Sequence, residues 1–497
     1  MRRGRGLVAL LLVLALAAGT PARAAREGPE QELGRRFFLM ARSELPLVED
    51  PAVVEYVERI GRRLVTTLGP QQFDYRFYVV QSPVLNAFAV PGGYIFVFSG
   101  LVSRVSNDDE LAGVLGHEMG HVSGHHIVRE QQEGQAWTAA TLLGVLLSAI
   151  NPVLGAAAVG AAQTAQLKYS REFEQEADYL GLRYADEAGY DPHALGTFFK
   201  ALLAEQRINP AGVPPYMLSH PITEDRVAHV ETTITAEKLK TPAGRPAAAP
   251  ELSEVRAITR AVGEPVEVAT GEYRRLADQK PDDPERQFLL GRVYQTVGQF
   301  EAAKTALERC RDHGGLGGRV DRPLGSVYLA LKNPTDARAA LERHLARHPD
   351  DAFAHLELGK ALGDAGDAPG SLVELQRAIT LDPDLDEAQR LLGIALGRKG
   401  EEAEGFYHLA LASRLRGELE PALSHFERTE HLLKPGSARE EEVRQAIEEL
   451  QPLVRELERE RQERRRTGRR GAGPWGGSPI VVPDPSRLRT SPARPMP

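Results

Sequence analysis

His117-Glu118-Met119-Gly120-His121 sets two imidazoles four residues apart, with a carboxylate beside the first. On a helix, residues i and i+4 project from one face, so both rings can reach a single transition-metal ion. Glu118 then lies where it can take a proton from metal-bound water, which is the chemistry of metal-assisted hydrolysis. A third protein ligand is needed. A histidine three residues after Gly124 would complete one common pattern, but that position is Ile127. His125 and His126 come one or two residues too early and are expected on the helix surface or behind the ligands. The segment Ser170 to Asp178 offers Glu172, Glu174 and Glu176 instead. Glu174 and Asp178 are four apart and flanked by Phe173, Ala177, Leu180 and Tyr184, so they share one helical face. Glu174 can then bind the metal while Asp178 accepts a hydrogen bond from a ligand histidine's distal nitrogen. Glu172 and Glu176 are expected to face solvent. Two histidines and a glutamate favour one Zn²⁺ per chain.

Helices must hold these groups. One should start after Ser106 as N-cap, with Asp109 three residues on, and run through Leu111, Leu115, Met119 and Val122. Upstream, Glu27 to Leu68 reads as helical, with Val53, Val54, Val57, Ile60 and Leu64 at three- and four-residue spacing. Residues 75–80 and 94–98 read as strands, the second entered through the turn Pro91-Gly92-Gly93. If the 94–98 strand is a sheet edge, an extended substrate could pair with it. No charged residue lies between Glu133 and Lys168. Its two apolar arms, Leu142 to Ile150 and Val153 to Ala162, are broken by Asn151-Pro152 and suit a buried or cleft-covering hairpin better than a spanning pair.

A proline-rich stretch, 241–250, reads as a linker, and beyond it the sequence repeats. Gly291, Gly325, Gly359 and Gly393 recur every 34 residues. In the same frame fall Tyr294, Tyr328, Leu362 and Leu396, the leucines Leu307, Leu341, Leu375 and Leu409, and the small residues Ala303, Ala337, Ser371 and Gly405. This is the tetratricopeptide pattern, about five units over 251–457 with degenerate ends. The 458–497 segment is arginine-rich, with a net charge of +7 over 459–497, and reads as a disordered basic tail suited to an acidic surface such as anionic lipid.

Arg2, Arg3 and Arg5, an apolar run from Leu7 to Ala18 and the sequence Ala22-Arg23-Ala24 read as a secretory signal over 1–24, cleaved after Ala24. Its removal takes the net charge of the 497-residue chain from −8 to −12. That balance argues against nucleic acid as a partner. Cys310 is alone, so no intrachain disulfide forms and no lipid is anchored at the cleavage site.

Leu85 to Val227 resembles the gluzincin metallopeptidases that include the CAAX prenyl endopeptidases and the HtpX-type proteases. The likeness rests on Asn86 to Gly93, the 117–121 motif, Ser170-Arg171 to Asp178, and Ser219-His220-Pro221 with Arg226. With a signal in front and repeats behind, the chain looks most like the periplasmic BepA-type proteases. The resemblance implies a mainly α chain with a small β-sheet: an α+β zincin domain over 25–240, then an all-α solenoid. It implies zinc on His117, His121 and Glu174, Glu118 as general base, and His220 and Arg226 near the metal, in oxyanion stabilisation or in capping the zinc. It further implies a periplasmic location, unfolded or misassembled envelope proteins as substrates, and outer-membrane assembly machinery as a partner of the repeats. The competing class is a chaperone or adaptor whose proteolysis is minor or latent. Clear spanning helices, present in membrane-bound members, are lacking.

Overall fold

Proline divides the first helical stretch. Pro46 and Pro51 each remove a backbone donor, so the chain makes two helices, α1 (Pro29–Glu44) and α2 (Pro51–Val65), rather than one. The Asp50 side chain caps α2 by accepting from the Ala52 N–H, and Pro51 sits at its first position. The computed structural model describes residues 28–69, 73–132, 138–150, 169–209, 213–240 and 250–466. The 1–24 segment read as a signal, the second apolar arm, most of the linker and the residues from 467 on lie outside the described residues.

Three strands follow: β1 (Arg76–Val80), β2 (Ala87–Val90) and β3 (Tyr94–Phe98), in the order β1-β3-β2. β3 runs parallel to β1 and antiparallel to β2. The 94–98 strand is thus the sheet's centre and offers no edge. Gly92 and Gly93, at φ +85° and +95°, make the tight turn that folds 87–90 back onto it, a four-residue strand too short for the sequence pattern to reveal. The outer strands are β1 and β2, and Leu47 bridges β1 at Val80, with the Val48 N–H donating to Val79 O.

Side chains alternate between two cores. Phe77, Val79, Ala87, Ala89, Ile95 and Val97 join α2 and α4 (Asp108–Ser123). Val80, Val90, Phe96 and Phe98 pack against Phe37 and Ala41 of α1 and against α6 (Ala139–Ile150), which buries Leu142, Leu143, Leu146 and Leu147 there. Among the described residues no helix is long and apolar enough to cross a membrane. Between and after these helices come α3 (Ser99–Arg104), α5 (His126–Gln132), α7 (Arg171–Glu187), α8 (His193–Ile208), α9 (Pro215–Ser219) and α10 (Glu224–Glu237).

The repeats form helix pairs: α13 (Pro284–Thr296) with α14 (Phe300–Asp312), α15 (Asp321–Ala330) with α16 (Pro334–Leu345), α17 (Ala352–Asp364) with α18 (Ala368–Leu381), and α19 (Asp386–Lys399) with α20 (Glu402–Leu415). They are preceded by α11 (Pro250–Gly263) and α12 (Val266–Gln279) and closed by α21 (Leu419–Leu432) and α22 (Glu440–Arg466). The 34-residue glycines mark close approach. A Cβ on Gly325 would stand 2.6 Å from Leu341, and one on Gly393 would stand 2.8 Å from the Gly405 carbonyl. The fold class is as expected: mainly helical, a small sheet, then an all-helical array.

The array is fastened to the first domain. α11 gives Leu252, Val255 and Ile258 to the first domain's core and Ala257 and Ala261 to the repeat core. Arg292 is buried between Asp50 at 2.7 Å and Glu254 at 2.8 Å, Arg322 meets Glu55 at 2.7 Å, and Arg76 meets Asp384 at 3.0 Å. Leu39 of α1 enters the final cluster with Tyr407, Phe426 and Val443.

Candidate metal centre

The 117–121 motif lies on α4, whose N-cap is Asn107 rather than Ser106. The Asn107 side chain accepts from the Glu110 N–H at 2.9 Å, while the Ser106 N–H donates to Glu110 Oε2 at 2.6 Å. Facing α4 is α7, capped by Ser170. The two helices meet backbone to backbone. A Cβ on Gly120 would lie 2.7 Å from the Ala177 carbonyl, and one on Gly181 would lie 2.7 Å from the His117 nitrogen. Only glycine permits that separation, and the separation brings His117 and His121 against Glu174 and Asp178. His220 follows α9, and Arg226 stands in the first turn of α10. All of these side chains, with Glu118, are buried.

Four of them face one point. His117 Nε2 lies 3.1 Å from His121 Nε2 and 3.2 Å from His220 Nδ1, and Glu174 Oε1 lies 2.9 Å from His220 Nδ1 and 3.4 Å from His121 Nε2. The ligand atoms all fall within 4.8 Å of one another. A tetrahedral zinc with bonds of about 2.0–2.1 Å separates its donors by about 3.3–3.4 Å, so these spacings suit such an ion. Proton placement agrees. His117 Nδ1 is 2.9 Å from Asp178 Oδ1, which fixes a proton there and leaves an Nε2 lone pair facing the centre. His121 Nδ1 is 2.8 Å from His126 Nδ1, and with the shared proton on the His121 side the His121 Nε2 lone pair turns inward too. Two such lone pairs 3.1 Å apart beside a carboxylate suit a cation.

The electrostatics follow from burial and charge. Burial opposes ionisation of Glu174, but Arg226 and His220 hold it well below the usual carboxylate range. Burial likewise opposes ionisation of Asp178, and Arg226, donating from Nε at 2.7 Å and Nη2 at 2.7 Å, holds it low. Burial disfavours charge on His220 too, yet Glu174 and Glu118 raise it above an ordinary imidazole. Burial pushes Glu118 up, against the pull of His220 and His117. Neither Glu118 oxygen has a hydrogen-bond partner, and Oε1 is 3.6 Å from His220 Nε2.

Arg226, expected near the metal behind its ligands, has its guanidinium on Asp178 and Glu174 and lies over the Phe199 ring, where it braces the carboxylates. Glu176, expected to face solvent, keeps its side chain 40% exposed while accepting from Arg129 at 2.7 Å and approaching His126 at 3.4 Å. Glu172 is exposed. His125 and His126 part company: His125, at φ +54°, meets Glu30 near the surface, while His126 is buried behind His121. Sequence reasoning missed Tyr169, whose ring stacks on His121 with centroids 3.9 Å apart. Its only signal was its place one residue before the α7 cap.

Residues 51–234 match peptidase family M48, and residues 288–343 and 322–385 match tetratricopeptide repeats. The chain is 30% identical over 209 residues to the Escherichia coli beta-barrel assembly-enhancing protease, covering 40% of this chain and 43% of that one. A Vibrio cholerae protein bearing the same name in provisional form is 33% identical over 291 residues, 56% of this chain and 59% of its own. The mitochondrial metalloendopeptidase OMA1 of Schizosaccharomyces pombe is 30% identical over 194 residues, 37% of this chain and 54% of the other. The chain thus spans about half the length of the curated relatives it matches. It joins a peptidase family M48 domain to a tetratricopeptide array.

Proposed function

We propose that the chain is an exported zinc metalloendopeptidase acting on envelope proteins, with the repeats recruiting substrates or assembly partners. The observation that carries this reading is the convergence of His117 Nε2, His121 Nε2 and the Glu174 carboxylate on one buried point, with the unpartnered carboxylate of Glu118 next to them. His117, His121 and Glu174 would hold the ion, Asp178 orients His117, and Arg226 steadies both carboxylates. Bound zinc polarises a scissile carbonyl and acidifies the attacking water. Glu118 takes that water's proton and delivers it to the leaving amine, a role its raised proton affinity suits. An extended substrate would pair with β2, the sheet edge packed beside α4. In the β2–β3 register the backbone groups of Ala87 and Ala89 turn away from β3. The names of the relatives support unfolded or misassembled outer-membrane proteins as substrates, and a periplasmic location agrees with the leader read from 1–24.

His220 favours a second, compatible reading. Its Nδ1 lies with the other ligand atoms as a fourth donor that would compete with an attacking water, and Tyr169 stacks on His121 beside it. Proteolysis would then be latent until His220 withdraws, and the repeats would act as an adaptor meanwhile. His220→Ala should raise cleavage of unfolded casein at unchanged zinc content. A loss of cleavage would assign His220 to the oxyanion instead. Chelator-insensitive cleavage would refute the metallopeptidase reading itself.

A further inference from the structure

His126 is fully buried, five residues beyond His121, and its ring lies flat on Phe173 with centroids 4.5 Å apart and planes 10° from parallel. Its Nδ1 meets His121 Nδ1 at 2.8 Å, and its Nε2 points to Glu176 Oε2 at 3.4 Å. Glu176 is in turn held by Arg129, whose guanidinium covers the Phe173 ring at 4.5 Å. The other motif histidine, His117, has a carboxylate behind it, and His121 has a ring. For His121 Nε2 to offer a lone pair inward, His121 must carry its proton on Nδ1, and His126 Nδ1 must then accept it. The His126 proton is then left on Nε2, the atom turned toward Glu176, which Arg129 holds in place.

Resting on the metallopeptidase reading above, we infer that His126 is a positioning residue: it accepts the His121 Nδ1–H, fixing the tautomer and ring orientation with which His121 meets the metal. Groups of this kind behind a metal ligand change affinity by about tenfold to a hundredfold. Three substitutions separate the acceptor from the packing. His126→Phe keeps the stack on Phe173 and removes the acceptor. His126→Asn places a carbonyl oxygen where Nδ1 was, and His126→Gln places one where Nε2 was.

The test is competition for Zn²⁺ between the full chain and a chromogenic chelator, with thermal unfolding of the metal-free variants run alongside to register folding. His126→Phe and His126→Gln should weaken zinc binding about tenfold to a hundredfold, and His126→Asn should stay within about threefold of the parent. Parent-like affinity in both Phe and Gln variants, or a loss in His126→Asn as deep as in His126→Phe, would overturn the assignment. A parent chain that binds no zinc would instead overturn the metallopeptidase reading on which the assignment rests.

Discussion

Glu118 is buried without a hydrogen bond to either oxygen, a costly arrangement that fits a group reserved for a proton. Glu118→Gln keeps shape and burial but cannot carry the proton. It should lower casein cleavage by about 10²–10⁴-fold with zinc stoichiometry unchanged. Far from the centre, His408 donates from Nδ1 to Gln389 at 2.7 Å. Burial, with Arg439 nearby, lowers its pKa to about 4. The unfolded chain takes up this proton near pH 6.5, whereas the folded chain does not until about pH 4, so stability falls as pH drops through that window. Between pH 7 and pH 5 the loss from this group is about 2 kcal/mol. His408→Gln should flatten that part of the pH dependence of denaturant unfolding. At this scale the sequence was most legible where spacing alone places groups on one helical face, as with His117, His121, Glu174 and Asp178. His126 and Tyr169 were not legible, because their contacts depend on how α5 and the segment before α7 return to α4.

Close approach of α4 and α7 positions the site, and glycine makes it possible. Gly181→Ala would press a methyl onto the His117 backbone at 2.7 Å and force the two helices apart. Zinc affinity should fall at least tenfold in the chelator competition, although Gly181 is not itself a ligand. Gly196→Ala is the control, because a Cβ there meets only Val230 at 3.6 Å. In the array, Gly325→Ala meets Leu341 at 2.6 Å and should destabilise the repeats by about 1–3 kcal/mol, while zinc binding stays unchanged. The repeat period announced these glycines before any coordinates did. The sheet was harder to read: β2 has four residues, and its pairing to β3 is a matter of turn geometry at Gly92 and Gly93. That pairing moves the candidate substrate edge from 94–98 to 87–90.

Across the whole molecule, the array binds the peptidase domain through charges that cannot be removed singly without cost. Arg292 is buried between Asp50 and Glu254, one on each side of the junction. Arg292→Met removes the cation shared by two carboxylates, leaving Glu254 with Arg319 at 3.1 Å and Asp50 with the Ala52 N–H, and should lower stability by about 3 kcal/mol. Adding Asp50→Asn and Glu254→Gln should recover much of that, measured by denaturant unfolding of the three variants. Nothing in the linear pattern marked Arg292 for this role, because its partners lie 242 and 38 residues away. The most direct test of the account is casein cleavage by zinc-loaded His220→Ala protein, with and without Glu118→Gln. The account predicts chelator-sensitive cleavage above the parent's, abolished by Glu118→Gln at equal zinc content. Cleavage that survives Glu118→Gln would contradict it.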